Sequence, residues 1–272
     1  MSLPPQDEVL AAFGVAGCPV VRLAGGQGTA WRAGQAVFKP AGPGVPGVPE
    51  LEWLAAEYSQ VRGAGFRIAR QRRTVTGAVC LDGWSATDYV PGRHAARRWA
   101  DAIAAGEQLH AALAGLPRPG FLDQRDSPWD TGDRVAWGQI PAARFARVRH
   151  IQQLAAAIRP VTAPSHLIHG DLGGNVLYHD VLPPAVIDFS AYWRPAAFAS
   201  AIVVADALTW ENADTSILHA VSHIRDFGQY LLRALIYRII TESILGKPDP
   251  AEQGSRHDPY APAVHLACQL AA

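Results

Sequence analysis

Apolar and polar positions along this chain change their period several times, and each change marks an element. Residues 6–13 keep Val9, Leu10 and Phe13 on one helical face. Short alternating runs follow at Val20-Val21-Arg22-Leu23, Thr29-Ala30-Trp31-Arg32 and Ala36-Val37-Phe38-Lys39, and they read as three strands. The first two are joined by Gly25-Gly26-Gln27-Gly28 and the last two by Gly34-Gln35, so the pattern predicts a hairpin with a glycine-rich tip and a third strand that ends on a lysine. After a Gly/Pro-rich stretch at 41–49, a helix over 50–62 buries Leu51, Leu54, Ala55, Tyr58 and Val61, with Pro49 suited to its first turn. Strand patterns return at 66–70, 78–81 and 84–90 and stop at Pro91-Gly92.

From there the period is helical. Trp99, Ala102, Ile103, Gly106, Leu109 and Leu113 share a face within 94–113, and His110 beside them reads as a core or boundary histidine. Further helices are predicted over 142–158, 196–208, 215–245 (one or two) and 262–270. Between 117 and 139 the pattern lapses into prolines, four aspartates and two tryptophans. A loop of that length lines an acceptor site or is a solvated insertion with its tryptophans packed beneath.

Composition narrows the class. With 272 residues, 49% of them hydrophobic, the chain can fill one large domain or two modest lobes. Lys and Arg together equal Asp and Glu, 24 each, so no basic field exists for nucleic acid or an anionic membrane. Cys18, Cys80 and Cys268 are far apart and odd in number, which fits a reducing compartment and offers no metal-ligand spacing. No secretory leader or membrane-spanning run is visible, and a cytoplasmic location is expected. Of the 24 basic residues only Lys39 and Lys247 are lysine. A lysine kept on a strand in an arginine-using chain points to a need for a compact ammonium.

The chemistry concentrates in one stretch. Ser165-His166-Leu167-Ile168 ends a strand, His169-Gly170-Asp171-Leu172-Gly173-Gly174-Asn175 forms a loop, and Val176-Leu177-Tyr178 and Ala185-Val186-Ile187 are strands that lead to Asp188-Phe189-Ser190. An aspartate in such a loop can take a proton from a hydroxyl. Asn175 and Asp188 are hard oxygen ligands suited to Mg²⁺ on nucleotide phosphates. Taken singly, these residues would cap a turn or end a strand.

Taken with Lys39 and the glycine loop, they resemble the aminoglycoside phosphotransferase family of the protein-kinase-like fold, which has His-Gly-Asp where protein kinases have His-Arg-Asp. Around Tyr192-Trp193-Arg194-Pro195 the chain is similar to an actinobacterial-type subset of unassigned substrate. The loop departs from the family's: Asp171 to Asn175 is four positions, one fewer than usual, with two glycines to let the backbone compensate.

The resemblance implies an α+β, bilobal architecture. Residues 1–92 would form an N-terminal nucleotide-binding lobe with an antiparallel sheet and a helix, and 93–272 a mainly helical catalytic and substrate-binding lobe. It implies ATP and Mg²⁺ as cofactors, with Gly25, Gly26, Gln27, Gly28 and Lys39 on the phosphates, and the backbone of Thr87, Tyr89 and Val90 on adenine. Asn175 and Asp188 would hold the metal, and Asp171 would act as the base. Glu50 and Glu57, which flank the helix stripe, and Glu52 compete as the lysine's acid partner. Asp206 would be a structural acid. The expected activity is phosphoryl transfer to a small-molecule hydroxyl. A protein acceptor is disfavoured, because no long activation segment separates Ser190 from the helix at 196. The shortened loop keeps open a nucleotide-binding module without catalysis, and the fold also hosts nucleotidyl transfer.

Overall fold

The computed structural model describes residues 3–24, 28–42, 47–246 and 258–272. The chain forms two compact units, Met1–His94 with Gly174–Asp188, and Ala95–Gly173 with Phe189–Ala272. A single boundary near 92 therefore does not describe the packing, because the hairpin after the Asp171 loop folds with the N-terminal unit.

In the first unit β1 (Val20–Arg22), β2 (Trp31–Ala33), β3 (Ala36–Pro40), β5 (Cys80–Leu81) and β6 (Trp84–Asp88) form an antiparallel sheet in the order β1-β2-β3-β6-β5. Alternation divides β3 between two faces. Ala36 and Phe38 point to the side covered by α1 (Asp7–Ala12), where Val9, Leu10 and Phe13 close a core and Phe13 meets Phe38 edge-on at 5.5 Å. Val37 and Lys39 therefore take the opposite face, and Lys39 lies across from Ser85.

The helix expected over 50–62 is α2 (Val48–Ala56), followed by a 3₁₀ turn at Tyr58–Gln60. Burial of Tyr58 and the bond from Gln71 N–H to Ser59 Oγ at 3.0 Å tie that turn down. A smaller sheet joins β4 (Arg67–Ile68), β9 (Ala185–Val186) and β8 (Val176–Leu177).

In the second unit β7 (His166–His169) pairs antiparallel with β10 (Ala191–Arg194). Around this ribbon are α3 (Trp99–Leu113), α4 (Pro128–Ala136), α5 (Ile151–Ala157), α6 (Ala197–Trp210), α7 (Phe227–Ile244) and α8 (Ala261–Ala271). Helix α7 is buried from Phe227 to Thr241 and packs on α4, α5, α6 and α8.

The stretch 117–139 is not a loop. It contains α4, which starts on a capping box between Ser127 and Asp130 with Pro128 in the first turn. Its acids are engaged in the fold: Asp123 pairs with Arg118 at 2.7 Å, Asp126 with Arg134 at 3.6 Å and Asp133 with Arg194 at 2.6 Å. Trp137 packs edge-on against Phe198. Among the described residues no helix is long and apolar enough to cross a membrane.

Candidate active site

The candidate residues fall on both units, and each group has its own geometry. In the first unit Lys39 leaves the end of β3 and its Nζ donates to Asp188 Oδ1. Burial pulls the Lys39 ammonium down to about 8.

Asp188 follows β9 with φ +53, in the left-handed region. Among L-residues aspartate and asparagine tolerate that conformation best. The hairpin registers Val176 against Val186, and Asn175 O accepts from Ile187 N–H at 2.9 Å. Asn175 and Asp188 are therefore set at the same end of one hairpin, whatever the length of the loop before Gly174. Such a pair suits Mg²⁺, which keeps several waters and needs only one or two protein oxygens. Among the described residues no cluster of three or more His, Cys, Asp or Glu gathers as a metal site.

Of the glycine tip, Gly28 is described, with φ +65 and its carbonyl accepting from Arg22 Nε at 2.9 Å. Gly25, Gly26 and Gln27 lie outside the described residues. Among the three glutamates, Glu50 is buried on α2, Glu52 pairs with Arg73 at 2.7 Å, and Glu57 is exposed at the helix C-terminus.

Thr87 lies in β6 opposite Val37. Tyr89 N–H donates to Gln35 O at 2.9 Å, and the Arg32 guanidinium stacks 3.5 Å above the Tyr89 ring. Val90 leads to Pro91-Gly92, and Arg93 then exchanges both backbone bonds with Tyr178 at 2.9 Å.

In the second unit the loop bearing Asp171 is built on a buried histidine. His169 Nδ1 accepts from Asp171 N–H at 3.1 Å and from Ser190 N–H at 3.4 Å, and Gly170 N–H donates to Ser190 O at 2.8 Å. An accepting Nδ1 requires a neutral ring with its proton on Nε2. His169 N–H in turn donates to His110 Nε2 at 3.0 Å. Burial, and then the nearby His169 and His166, push His110 down to about 3, so it too is neutral.

The Asp171 carboxylate remains partly exposed, and its Oδ1 accepts from Arg238 Nη2 at 2.8 Å. The same guanidinium grips buried Asp206 through Nε at 2.8 Å and Nη2 at 2.5 Å. Burial raises the Asp206 carboxyl to about 6 against the pull of Arg238. Burial would lower Arg238, yet Asp206, Tyr237 and Asp171 hold it well above its ordinary value. A Cβ on Gly173 would stand 3.2 Å from Asp206 Oδ2, so the loop closes against that acid.

Arg238 is the residue that pattern reading missed. Its signal was a charge inside the apolar run Leu231–Ile240, where a buried cation requires an acid.

The sequence matches the family described as APH, phosphotransferase enzyme family, over residues 19–220. No curated protein matches it. Three solved structures are similar across nearly the whole chain. One is an amicoumacin kinase in complex with AMP-PNP, Ca²⁺ and Ami (13% identity, 92% of this chain and 88% of that one, TM-score 0.60). Another is an AMP-bound spectinomycin phosphotransferase (14%, 97% and 96%, TM-score 0.57). The third is a choline/ethanolamine kinase family protein from Mesorhizobium loti (18%, 97% and 94%, TM-score 0.55). Identities this low establish the fold, which is kinase-like and α+β.

Proposed function

Because the chain belongs to the APH phosphotransferase enzyme family, we propose that it transfers the γ-phosphate of ATP, with Mg²⁺, to a hydroxyl of a small molecule in the cytoplasm. The observation that carries this reading is the Lys39–Asp188 pair, with Asn175 held at the same end of the Asp188 hairpin. Those groups supply one ammonium and two hard oxygens, which is what a triphosphate and its metal require. When bound, ATP would supply the γ-phosphoryl group and leave as ADP, and Mg²⁺ would neutralise charge on its phosphates. Lys39 and the backbone of 25–28 bind phosphate oxygens. Asp188 and Asn175 hold the metal. Glu50, the buried acid of α2, is assigned as the helix partner of the lysine in preference to Glu57. Adenine is assigned to the backbone of Val90, since Tyr89 N–H already serves Gln35 and Thr87 is paired with Val37 in the sheet.

Asp171 accepts the proton of the acceptor hydroxyl, and Arg238 aims its carboxylate. Orientation and charge neutralisation provide most of the acceleration. The acceptor is an alcohol small enough to reach a loop carboxylate. The test is incubation with Mg-ATP and an alcohol library, read by product mass. Wild type should add one phosphate, and Asp171→Asn should bind nucleotide but transfer nothing. Addition of an AMP, or full turnover by Asp171→Asn, would overturn the assignment.

A further inference from the structure

The first unit contains a cavity of about 460 Å³ that Lys39, Asn175 and Asp188 do not line, although Val90, assigned above to adenine, is part of its wall. Its wall runs from the end of the 3₁₀ turn through β4 to the chain leaving β6. Val37, Lys39 and Ser85, which share the lysine's face of the sheet, are absent from it. Its size suits a small molecule.

The chemistry of the wall is lopsided. Val61, Phe66 and Ile68 are buried and supply an apolar side. Arg62, Arg67 and Arg70 supply three guanidinium groups. None of the three meets a carboxylate among the described residues. Arg62 donates to the carbonyls of Ser59 and Val61 at 2.7 and 2.9 Å, and Arg67 to those of Pro183 and Pro91, both at 2.8 Å. No hydrogen bond or ion pair among the described residues holds the Arg70 guanidinium. The wall's one acid, Asp88, is turned to Arg72, 3.4 Å away. Burial lowers Arg67 from its ordinary value.

We propose that this cavity is a binding site for an organic anion, a carboxylate or phosphate on a flat apolar body, held by Arg70 and Arg62 over the Val61–Ile68 wall. An anion there would complete the guanidinium groups with charge-assisted bonds, and the apolar side would select a hydrophobic body over a bare ion. The inference uses none of the groups assigned to the transfer step and shares only Val90 with the proposed adenine contact.

The experiment uses the full chain, with naphthoate as probe and its uncharged amide as control. Calorimetry should show naphthoate binding and no binding of the amide. Methyl NMR shifts should fall on Val61, Ile68 and Val90. Arg70→Gln, an exposed change that leaves the fold intact, should weaken naphthoate roughly tenfold or more and Arg70→Lys less, in line with one lost charged bond, while Mg-ATP affinity stays unchanged. Equal binding of acid and amide, or no naphthoate binding, would overturn the proposal. So would shifts elsewhere, or an Arg70→Gln variant that loses Mg-ATP to the same degree, which would assign the cavity to the nucleotide.

Discussion

Arg238 Nη2 donates to Asp171 Oδ1 at 2.8 Å, so the loop carboxylate assigned as base is held by a cation from α7. That cation is fixed in turn by buried Asp206. Arg238→Met leaves Asp206 buried without its partner, and a broken buried pair costs about 3–5 kcal/mol. Thermal melting should fall accordingly. The double variant Arg238→Met/Asp206→Leu should recover much of the stability, because it removes both charges. It should not recover phosphoryl transfer, since Asp171 still lacks its guide. Recovery of both would make Arg238 purely structural.

Lys39 gives two pH dependences of opposite sign. Its folded value is about 8 against 10.5 unfolded, so between those values the unfolded chain binds the extra proton and this group makes stability rise with pH. Phosphate binding needs the charged ammonium, so nucleotide affinity of the free protein should fall as pH passes about 8. Lys39→Met should flatten both trends. Affinity titrations and chemical melts across that window check the pair of signs.

His110 sets an acid limit. Held at about 3 in the fold and 6.5 outside it, it contributes stability that is complete above 6.5 and is lost as pH falls toward 3. The slope is roughly 1.4 kcal/mol per pH unit for one such group. Denaturant melts of His110→Gln should show a shallower acid limb than wild type. An identical limb would assign the acid sensitivity to another group.

Gly170 tolerates no side chain. A Cβ there would lie 2.2 Å from the Tyr192 ring, which is buried and bonded to Tyr237 through the hydroxyls at 3.2 Å. Gly170→Ala should cost about 1–3 kcal/mol and displace the loop that carries Asp171. Urea melts and turnover read the two effects separately.

These relationships show what a sequence read alone can reach. The strand with Lys39, the hairpin to Asp188 and the apolar helices were legible, because periods of two and of 3.6 residues survive in the sequence. The one-residue shortening between Asp171 and Asn175 is counted along the loop, whereas the backbone of Asn175 is fixed by the hairpin, where its carbonyl accepts from Ile187 N–H. The stretch 117–139 misled because its prolines and aspartates were read as breakers, while Ser127, Pro128 and Asp130 are a helix start. Strand β10 was invisible for another reason: its four residues become a strand only by pairing with β7. The glutamates of α2 could not be ranked from spacing, because the helix ends at Ala56 and leaves Glu57 exposed. Arg238 carried a signal, a charge in a buried helix, but its partners lie 32 and 67 positions away.

Thermal stability of wild type and Asp188→Asn, each with and without ATP and Mg²⁺, tests the central claim most directly. Asparagine accepts the left-handed backbone that Asp188 adopts at φ +53, so the substitution removes charge without forcing a rearrangement. The account predicts a Mg²⁺-dependent stabilisation of wild type by ATP that Asp188→Asn loses. An equal stabilisation of both proteins, or none of wild type by any nucleotide, would contradict it.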